Sequence, residues 1–321
     1  MKLKKIYEAV VARGMEADPR GKKSVLKSLE RKKRSYSEMK SDEKEFFDLE
    51  SLTNPYADTR ILHGTGEEEI KTALVGIDME MGELLLADRL SSKGQQIDLV
   101  IAHHPEGKAY ANFYEVMHMQ ADILHKLGVP INVAEGLLEG RIKEVARRLS
   151  PVNHSRATDV ARLLDIPFMC MHTPTDNMVA SYLQETFDRK KQDTLNDVVK
   201  LLMEIPEFHD AAKNNAGPKI LLGSGDRSAG RIFVDMTGGT EGARDIFQSL
   251  VNSGINTVIA MHLSEDHRKE AEKHHVNVII AGHIASDNLG VNLMLDEVQN
   301  KGKLKVIPCS GFWRYSRNNK K

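Results

Sequence analysis

Short apolar runs alternate with longer amphipathic segments along most of the chain. The runs KTALVGID (71–78) and IDLVIA (97–102) predict buried strands, and MEMGELLLADRLSSKG between them predicts a helix. Strand, helix and strand within 32 residues are typical of a βαβ unit. Because such crossovers join parallel strands, this part of the chain is predicted to form a parallel sheet.

The alternation continues to residue 190 with a larger share of helix. The predicted elements are a helix over 112–127, a strand over VPINVA (129–134), helices over 136–165 with a break near Ser150, a strand over IPFMCMH (166–172) and a helix over 175–190. Gly128 is predicted to end the first of these helices. A stretch poor in apolar residues, containing NNAGP (214–218), follows and predicts a boundary between two lobes.

A second series of strands and helices begins after this boundary. KILLGSG, GRIFVDM, NTVIAMH and VNVIIAG predict strands, with helices between the last three. IDLVIAHH echoes VNVIIAGH, which suggests that the two lobes are related. We therefore expect an α/β fold with two similar lobes and mostly parallel sheets. The predicted divisions are a helical N-terminal arm (1–60), a first lobe (61–215) and a second lobe (216–321), with a metal site between the lobes.

The first 50 residues are helical in pattern and carry many charges. The basic cluster Arg31–Arg34 lies close to the acidic residues Asp42, Glu43 and Glu45. Such balanced charge is typical of a solvated helical arm or cap; a nucleic-acid contact and a partner-binding segment are the alternatives. The whole chain has a formal net charge of −1, so it gives no strong signal for nucleic acid or a membrane surface.

The composition favours a globular protein of a reducing compartment. A length of 321 residues, with 40% hydrophobic and 28% charged residues, is typical of a folded chain of roughly two domains. Cys170 and Cys309 form no CxxC pair and no disulfide framework, and Cys309 is expected to be a buried thiol. The start, MKLKKIYEAVV, is too charged for a signal peptide, and the longest apolar runs are too short for a membrane helix. We therefore expect a cytoplasmic protein.

Histidines at the ends of predicted strands are the candidate functional residues. His103 and His104 directly follow IDLVIA, and Pro105 favours an extended conformation for His104. Ligand sites of open parallel sheets lie at the carboxyl ends of strands. Adjacent side chains of an extended segment point to opposite sides, so two ions about 3.5–4 Å apart could each take one imidazole. Two unrelated strand-end histidines are the alternative.

Two further strand ends carry a histidine followed four residues later by an aspartate. His172 ends IPFMCMH and precedes Asp176, and His283 follows VNVIIAG and precedes Asp287. Asp176 could instead only compensate a helix dipole. Together, the three strand ends supply nitrogen and oxygen ligands suited to divalent Zn, Mn, Fe, Co or Ni.

Asp78 and His262 end strands that neighbour these three. Either could orient a metal ligand or contact a substrate, and a solvated loop residue is the alternative for each. By contrast, His274 and His275 close a charged helix, where we expect them to complement the helix C-terminus or to be solvated. A pair of adjacent histidines is therefore a weak signal by itself.

The segment TGGTEGARDIF (237–247) follows a strand and opens a helix. Its backbone amides could seat a phosphate, and a tight turn that packs helix on sheet is the alternative. The sequence contains no Walker loop, no dinucleotide-binding fingerprint and no GxSxG elbow. It therefore does not favour a P-loop enzyme or a serine hydrolase.

DLVIAHHP, MHTPTDN and AGHIASDNLG together resemble the motifs of the Ngg-one-interacting-factor-three-like family, often labelled GTP cyclohydrolase I type 2 homologues. The resemblance spans residues 72–300. It implies two similar α/β lobes around a dinuclear metal site, in a homo-oligomer that is often a ring-shaped hexamer. Carried over by motif, the implied ligands are His103, His104, Asp176, His283 and Asp287.

The chain departs from this family pattern in three places. The carboxylate after His283 is usually Glu in the family and is the shorter Asp287 here, the helical stretch between His104 and His172 is long, and the charged N-terminal arm is additional. Because two ions can deprotonate a bridging water and hold a phosphate, the first hypothesis is a metal-dependent hydrolase. The family label and the TGGTEG turn suggest a nucleotide-like or phosphorylated small molecule as its substrate, and Asp78 and His262 are the catalytic candidates. The alternative is a non-enzymatic metal-binding regulator or scaffold.

Overall fold

The computed structural model describes residues 1–318 of the chain. The helices are, in chain order, α1 (Leu3–Ala17), α2 (Lys22–Glu38), α3 (Ser41–Glu45), α4 (Met81–Ser92), α5 (Gly107–Ala111), α6 (Met119–Leu127), α7 (Ile131–Leu149), α8 (Arg156–Leu163), α9 (Thr173–Arg189), α10 (Leu195–Met203), α11 (Pro206–Lys213), α12 (Ile246–Asn252), α13 (Glu265–Lys273) and α14 (His283–Lys301). Two short 3-10 helices cover Leu49–Leu52 and Phe113–His118. The strands are β1 (Thr59–His63), β2 (Thr72–Gly76), β3 (Leu99–Ala102), β4 (Phe168–Met171), β5 (Lys219–Leu222), β6 (Ile232–Asp235), β7 (Thr257–Ala260), β8 (Asn277–Ile280) and β9 (Lys305–Pro308).

Within residues 1–318 the strands form two sheets. One has the order β1-β4-β3-β2-β9 and the other the order β5-β8-β7-β6. Only β1 and β5 run antiparallel to their neighbours; the other described pairs are parallel. The predicted α/β class with mostly parallel sheets is confirmed. The predicted crossover through α4 joins β2 to β3, and those through α12 and α13 join β6, β7 and β8.

The two sheets have the same order and the same strand directions once the edge strand β9 is set aside. Strands β1, β2, β3 and β4 correspond in turn to β5, β6, β7 and β8. The sequence echo between IDLVIAHH and VNVIIAGH therefore matched the wrong strands, because β3 corresponds to β7 and β8 corresponds to β4. Strands buried on both faces are continuous apolar runs, so their sequences resemble one another whatever their position in the sheet.

The connection between β3 and β4 is much longer than its counterpart between β7 and β8. Helices α5 to α8 lie in it, over residues 107–165, which we call the insertion. Leu124 and Leu138 of the insertion share one buried core with Phe233 of β6 and Val258 of β7. The insertion therefore leaves the first sheet and covers a face of the second.

The first helix belongs to the protein core. Leu3 and Val10 of α1 are buried in one cluster with Val291 and Leu295 of α14. Helix α1 also packs closely on the start of α9, since a Cβ atom at Gly14 would lie 2.6 Å from the Cβ of Pro174. The helical pattern of the first 50 residues is thus present, but these residues divide into a buried α1 and a more exposed α2 and α3, so α1 is not a solvated arm.

The strand predicted over VPINVA is wrong, because helix α7 begins at Ile131. The buried residues of α7 are spaced by three or four positions and are Ala134, Leu138, Ile142, Val145 and Leu149. That spacing is helical, and the apolar alternation at its start is only the first turn of the same stripe. Gly128 ends α6 in a left-handed conformation with φ of 114°, as predicted.

Two edge strands were not predicted. β1 pairs with β4, and β9 pairs with β2, so the end of the chain returns to the first sheet. The domain boundaries at residues 60 and 215 stay a prediction. Within the described residues no helix has both the length and the apolar character needed to span a membrane.

Candidate metal centre

His103 and His104 extend the line of strand β3. Their backbone N–H groups donate to the carbonyl oxygens of Gly76 (2.9 Å) and Ile77 (3.0 Å) at the end of β2. This continued pairing keeps both histidines extended, so their side chains leave the backbone in different directions. The two ring centroids lie 5.0 Å apart with a 44° angle between the planes.

The other four candidate ligands stand where a strand passes into a helix. His172 is the N-cap of α9 and Asp176 lies in its first turn. His283 is the first residue of α14, and Asp287 follows one turn later. The turn into α14 passes through Gly282, whose φ of 106° is a conformation that glycine adopts without strain.

The structure brings all six candidate ligands together. The imidazole rings form a row, with centroid distances of 4.8 Å from His172 to His103, 5.0 Å from His103 to His104 and 5.4 Å from His104 to His283. Asp176 Oδ1 lies 3.6 Å from His103 Nε2. Sequence spacing thus identified side chains that are far apart in the chain and adjacent in the fold.

Asp287 lies at the centre of the cluster. Its Oδ1 is 3.4 Å from His103 Nε2, while its Oδ2 is 3.6 Å from His104 Nε2 and 3.5 Å from His283 Nε2. The two oxygens of one carboxylate therefore face two different sets of imidazole nitrogens.

Several ligand atoms of the cluster are buried without a hydrogen-bond partner among the described residues. These atoms are His103 Nε2, Asp176 Oδ1 and both carboxylate oxygens of Asp287. Burying polar or charged atoms without partners is costly, and proteins avoid it unless another species compensates. The atoms point towards one another, so the compensating species would sit between them.

The distances between these atoms suit a metal ion better than hydrogen bonds. A hydrogen bond between nitrogen and oxygen is about 2.7–3.2 Å long, and the contacts of Asp287 measure 3.4–3.6 Å. Two ligand atoms that each lie about 2.0–2.2 Å from one tetrahedral ion are about 3.3–3.6 Å apart. Nitrogen and oxygen donors at this separation fit a divalent ion.

The nitrogens that face away from the cluster are fixed by oxygen atoms. His104 Nδ1 donates to Asp78 Oδ1 (2.6 Å) and His172 Nδ1 donates to Asp58 Oδ2 (2.8 Å). His103 Nδ1 lies 2.9 Å from the hydroxyl of Thr175, whose single proton is directed to the carbonyls of Met171 and His172. The hydroxyl must therefore accept from His103, which leaves the Nε2 lone pair free for a metal.

The charged groups of the cluster shift one another's pKa values. Burial opposes ionisation of Asp287, but the positive charges of neighbouring His103 and His283 outweigh it, so the pKa of Asp287 lies well below its usual range. Burial raises the pKa of Asp176, and the nearby charge of Asp287 adds to the effect. The pKa of His104 is raised to about 10, because the neighbouring charge of Asp287 and the hydrogen bond to Asp78 outweigh burial.

Both catalytic candidates lie beside this cluster. Asp78 orients His104, and its pKa is lowered by that hydrogen bond. The His262 ring centroid is 5.0 Å from that of His283, and His262 Nδ1 lies 3.2 Å from Glu241 Oε1. The same carboxylate accepts a hydrogen bond of 2.6 Å from the backbone N–H of Ser264. Glu241 therefore holds His262 in position next to a candidate ligand.

Other sequence candidates lie elsewhere. His274 is at the C-cap of α13, 3.5 Å from Glu270 of its own helix, as expected for the adjacent pair at that helix end. The thiol of Cys309 was expected to be buried and is half-buried. Burial raises the pKa of this thiol, so its thiolate form is disfavoured.

Sequence reasoning missed three residues that organise the site. Asp58, buried just before β1, bonds His172 and also accepts from Thr173 Oγ1 (2.6 Å). Thr175 fixes His103, and Glu241 fixes His262. The unpredicted strand β1 places Asp58 beside the end of β4, so only a correct prediction of β1 could have identified it.

A cavity of about 530 Å³ opens beside the cluster. Cluster residues His104, His172, His283, Asp176 and Asp287 line one part of it. Other parts are lined by the insertion, by the turn over residues 237–242 and by residues at the ends of β2, β6 and β7, His262 among them. The volume is within the range of small-molecule sites, about 300–1,000 Å³.

Comparison with solved structures identifies relatives. A NIF3 superfamily protein from Sphaerobacter thermophilus is 30% identical, with a TM-score of 0.70, over 80% of this chain and 92% of that chain. A Bacillus cereus protein related to NIF3 matches at 11% identity and a TM-score of 0.41, over 78% of this chain and 90% of that chain. Reduced HcgD from Methanocaldococcus jannaschii matches at 12% identity and a TM-score of 0.46, over 78% and 87% of the two chains.

No family model matches the chain, and a search of curated proteins finds no match. The likeness to the Sphaerobacter thermophilus protein nevertheless covers most of both chains at 30% identity. The expectation drawn from the three histidine-containing motifs is therefore confirmed: the chain belongs to the NIF3 superfamily, the Ngg-one-interacting-factor-three-like family.

Proposed function

We propose that the cluster holds two divalent metal ions and that the protein is a metal-dependent hydrolase. The observation that carries the proposal is the group of buried ligand atoms without partners at the centre of the cluster. The proposed ligands are His103, His104, His172, Asp176, His283 and Asp287. All of them belong to groups whose donor atoms lie within 4.8 Å of one another.

Two ions are favoured over one by the way in which these groups overlap. His103, Asp176 and Asp287 form one group, and His104, His283 and Asp287 form another. They share only Asp287, whose Oδ1 faces the first group and whose Oδ2 faces the second. The short side chain of Asp287 can therefore bridge two ions, the role that the family pattern usually gives to a glutamate.

The donor set limits the identity of the metal. Imidazole nitrogens and carboxylate oxygens, without thiolate, suit Zn, Mn, Fe, Co or Ni. Asp58, Asp78 and Thr175 each fix one imidazole from behind, an arrangement that raises metal affinity by orienting the ligands.

Access from the cavity supports catalysis rather than a closed structural site. The side chain of His283 is 41% exposed and faces the cavity, whereas that of His103 is 1% exposed. Divalent ions at such a site favour ionisation of water near neutral pH and stabilise negative charge on a substrate oxygen. His262, held by Glu241 beside His283, is placed to donate or accept a proton at Nε2.

The proposed substrate is a phosphorylated or nucleotide-like small molecule, in keeping with the family label and the size of the cavity. We further propose that the protein is cytoplasmic, as its composition favours, and that it forms a homo-oligomer such as the hexamer that the resemblance implies.

The first experiment is elemental analysis of purified wild type and His104→Ala. About two transition-metal ions per chain in the wild type, and fewer than one in the variant, are expected because His104 faces the shared carboxylate. His209→Ala, an exposed histidine on α11, is the matched control and should keep both ions. Wild-type protein that stays free of metal after reconstitution would contradict the proposal.

A non-enzymatic metal-binding regulator is the second candidate function. The motif resemblance allows it, and it predicts the same metal content. A screen of phosphate monoesters and nucleotides with metal-loaded protein distinguishes the two. Turnover that disappears in Asp287→Ala supports the hydrolase, whereas tight metal binding without turnover of any compound supports the regulator.

A further inference from the structure

Helix α7 brings a second set of charged groups to the cavity. Arg141 and Arg148 line the cavity together with the aliphatic side chains of Val145 and Leu149. Glu144 pairs with both guanidinium groups, at 2.9 Å from Arg141 and 2.6 Å from Arg148. Because one carboxylate is shared between two guanidinium groups, each arginine keeps N–H donors that Glu144 does not occupy.

Arg141 is held in place by the turn over residues 237–242. Its Nε donates to the backbone carbonyl of Glu241 at 3.1 Å, and its side chain is 16% exposed. The carboxylate of the same Glu241 holds His262, whose ring lies against His283. A single residue thus connects the guanidinium to the edge of the proposed metal site. A small molecule could contact both at once.

The turn itself presents hydrogen-bond donors. Gly238 and Gly239 have φ of 92° and 90°, and Gln120 Nε2 donates to the carbonyls of Gly238 and Thr240, both at 2.7 Å. Two of its carbonyl groups are thereby occupied, while no amide N–H of residues 238–242 donates a hydrogen bond within residues 1–318. Free amides beside a guanidinium make a concave site for an anion.

An aromatic surface completes the cavity. Tyr110 and Phe113 of the insertion are half-buried in its lining, with ring centroids 6.5 Å apart. The Phe113 ring also lies 5.4 Å from that of the proposed ligand His172. Flat apolar rings at this position favour a planar ligand group, which would gain both area and ring–ring contact.

Acidic groups line the cavity on both sides. Asp78, which is bonded to His104, lines it together with Glu80 and Glu106, and Asp235 and Glu241 line it at the glycine turn. The Glu241 carboxylate is already engaged by His262 and by the backbone N–H of Ser264. The turn therefore offers a ligand its backbone amides and the guanidinium of Arg141, beside a carboxylate that is already paired.

We propose that this cavity binds a planar aromatic compound that carries an oxyanion group, a phosphate or a carboxylate. The ring lies against Tyr110 and Phe113, and the oxyanion lies between Arg141 and the amides of residues 238–242, with Arg148 at the mouth. This inference deepens the proposed function, since it concerns the same cavity, but it rests on residues outside the proposed ligand set.

The test uses three probes that cannot be hydrolysed. These are 1-naphthylphosphonate, which has ring and anion, methylphosphonate, which has the anion alone, and naphthalene-1-methanol, which has the ring alone. Dissociation constants are measured by calorimetry with wild type. We expect 1-naphthylphosphonate to bind at least about tenfold more tightly than either other probe, because it alone engages both walls. Equal affinity for 1-naphthylphosphonate and either simpler probe would overturn the proposal.

Variants of Arg141 test whether the oxyanion binds to this guanidinium. Arg141→Gln should weaken 1-naphthylphosphonate binding roughly 10- to 100-fold, and Arg141→Lys should restore part of it, since a charged hydrogen bond is lost in the first and partly kept in the second. Binding of naphthalene-1-methanol should not change. Arg162→Gln, an exposed arginine paired with Asp159 on α8, is the matched control and should bind like wild type. Unchanged phosphonate affinity in Arg141→Gln would contradict the assignment.

The same measurements in His104→Ala separate this inference from the proposed metal site. Arginine-dependent binding that persists there supports the anion site even if elemental analysis finds no metal in the wild type. Phosphonate binding that is lost in His104→Ala and unchanged in Arg141→Gln means that the metal side alone retains the phosphonate, and it overturns the inference while leaving the metal site intact.

Discussion

The two sheets share one arrangement of strands but differ in the side chains that they bring to the candidate metal site. With β9 set aside, their strands have the same order and the same directions, and the corresponding strands β4 and β8 lead into the long helices α9 and α14. Both helices begin with a histidine and an aspartate four residues apart, His172 with Asp176 and His283 with Asp287. The two halves of the site thus use the same strand-to-helix junction to supply a nitrogen and an oxygen.

The two halves differ in the residues that follow the neighbouring strand, β3 in the first sheet and β7 in the second. Ala102 at the end of β3 is followed by His103 and His104, whereas Ala260 at the end of β7 is followed by Met261 and His262. His262 therefore occupies the position that corresponds to His104, yet it is bound to Glu241 and faces the cavity. The first half holds four proposed ligands and the second half two. The comparison teaches that a shared framework fixes where polar side chains gather, and that single residues decide which of them bind metal.

The largest expected effect follows from the shared carboxylate. Asp287→Ala removes the only residue that faces both groups of imidazoles, so we expect both ions to be lost and turnover to fall below detection while the fold persists. Elemental analysis, circular dichroism and the hydrolase assay measure these outcomes. Asp159→Ala, an exposed aspartate on α8, is the control. A variant that retains both ions would remove Asp287 as the bridge.

The second prediction compares His104 with His262, which occupy corresponding positions in the two halves. His104→Ala should lose metal, whereas His262→Ala should keep both ions and lose turnover by about 10²- to 10⁴-fold, the usual contribution of a positioned acid or base. Metal content and turnover are measured on the same preparations. If His262→Ala loses metal to the same extent as His104→Ala, the two halves are used alike and the comparison fails.

A smaller effect on metal affinity is expected from residues that hydrogen-bond the proposed ligands on the side away from the metal. Asp78→Asn keeps the shape of the side chain but removes the charge that holds the Nδ1 proton of His104. Loss of such a partner weakens metal binding by about 10- to 100-fold. Competition with a chelator measures the affinity. Asp88→Asn on α4, outside the cavity lining, is a suitable control, and equal affinities of Asp78→Asn and wild type would show that His104 needs no orientation.

The smallest expected effect is a pH-dependent loss of folding stability when Glu241 is replaced. Burial opposes ionisation of Glu241, but His262, His267 and the N–H of Ser264 outweigh it and lower its pKa to about 2, so its stabilisation is complete above pH 4.5 and is lost as the pH falls towards 2. The hydrogen bond to Glu241 raises the pKa of His262. The stabilisation that comes from protonated His262 is therefore complete below about pH 6.5 and is lost as the pH rises above that value. Glu241→Gln should therefore cost most near pH 5.5, about 1–3 kcal/mol in the free energy of unfolding measured with urea. A cost that is the same at pH 3, 5.5 and 8 would contradict this account.

The candidate ligands could be predicted from sequence because each follows a short apolar run. Such runs predict parallel strands, and parallel strands bring their carboxyl ends to one edge. His103, His172 and His283 could therefore be placed together before their contacts were known. The bridging geometry of Asp287 could not, since it depends on how α14 packs in the fold.

The features that the sequence did not predict depend on contacts between distant parts of the chain, which a local pattern of apolar residues does not encode. β1 and β9 are edge strands with polar or half-buried positions, so their periodicity is weak, and Asp58 was missed with β1. The cavity wall was missed because the sequence of the insertion predicts helices without saying that they pack on the other sheet. Tyr110, Phe113 and Arg141 acquire a common role only through that packing.

The central claim is a pair of ions bridged by Asp287, and anomalous X-ray scattering from crystals of metal-loaded protein tests it most directly. Data collected at the absorption edge of the metal identified by elemental analysis should give two peaks about 3.5–4 Å apart, on either side of the Asp287 carboxylate. One of them should adjoin His103 and Asp176, and the other His104 and His283. A single peak, or peaks remote from Asp287, would contradict the account.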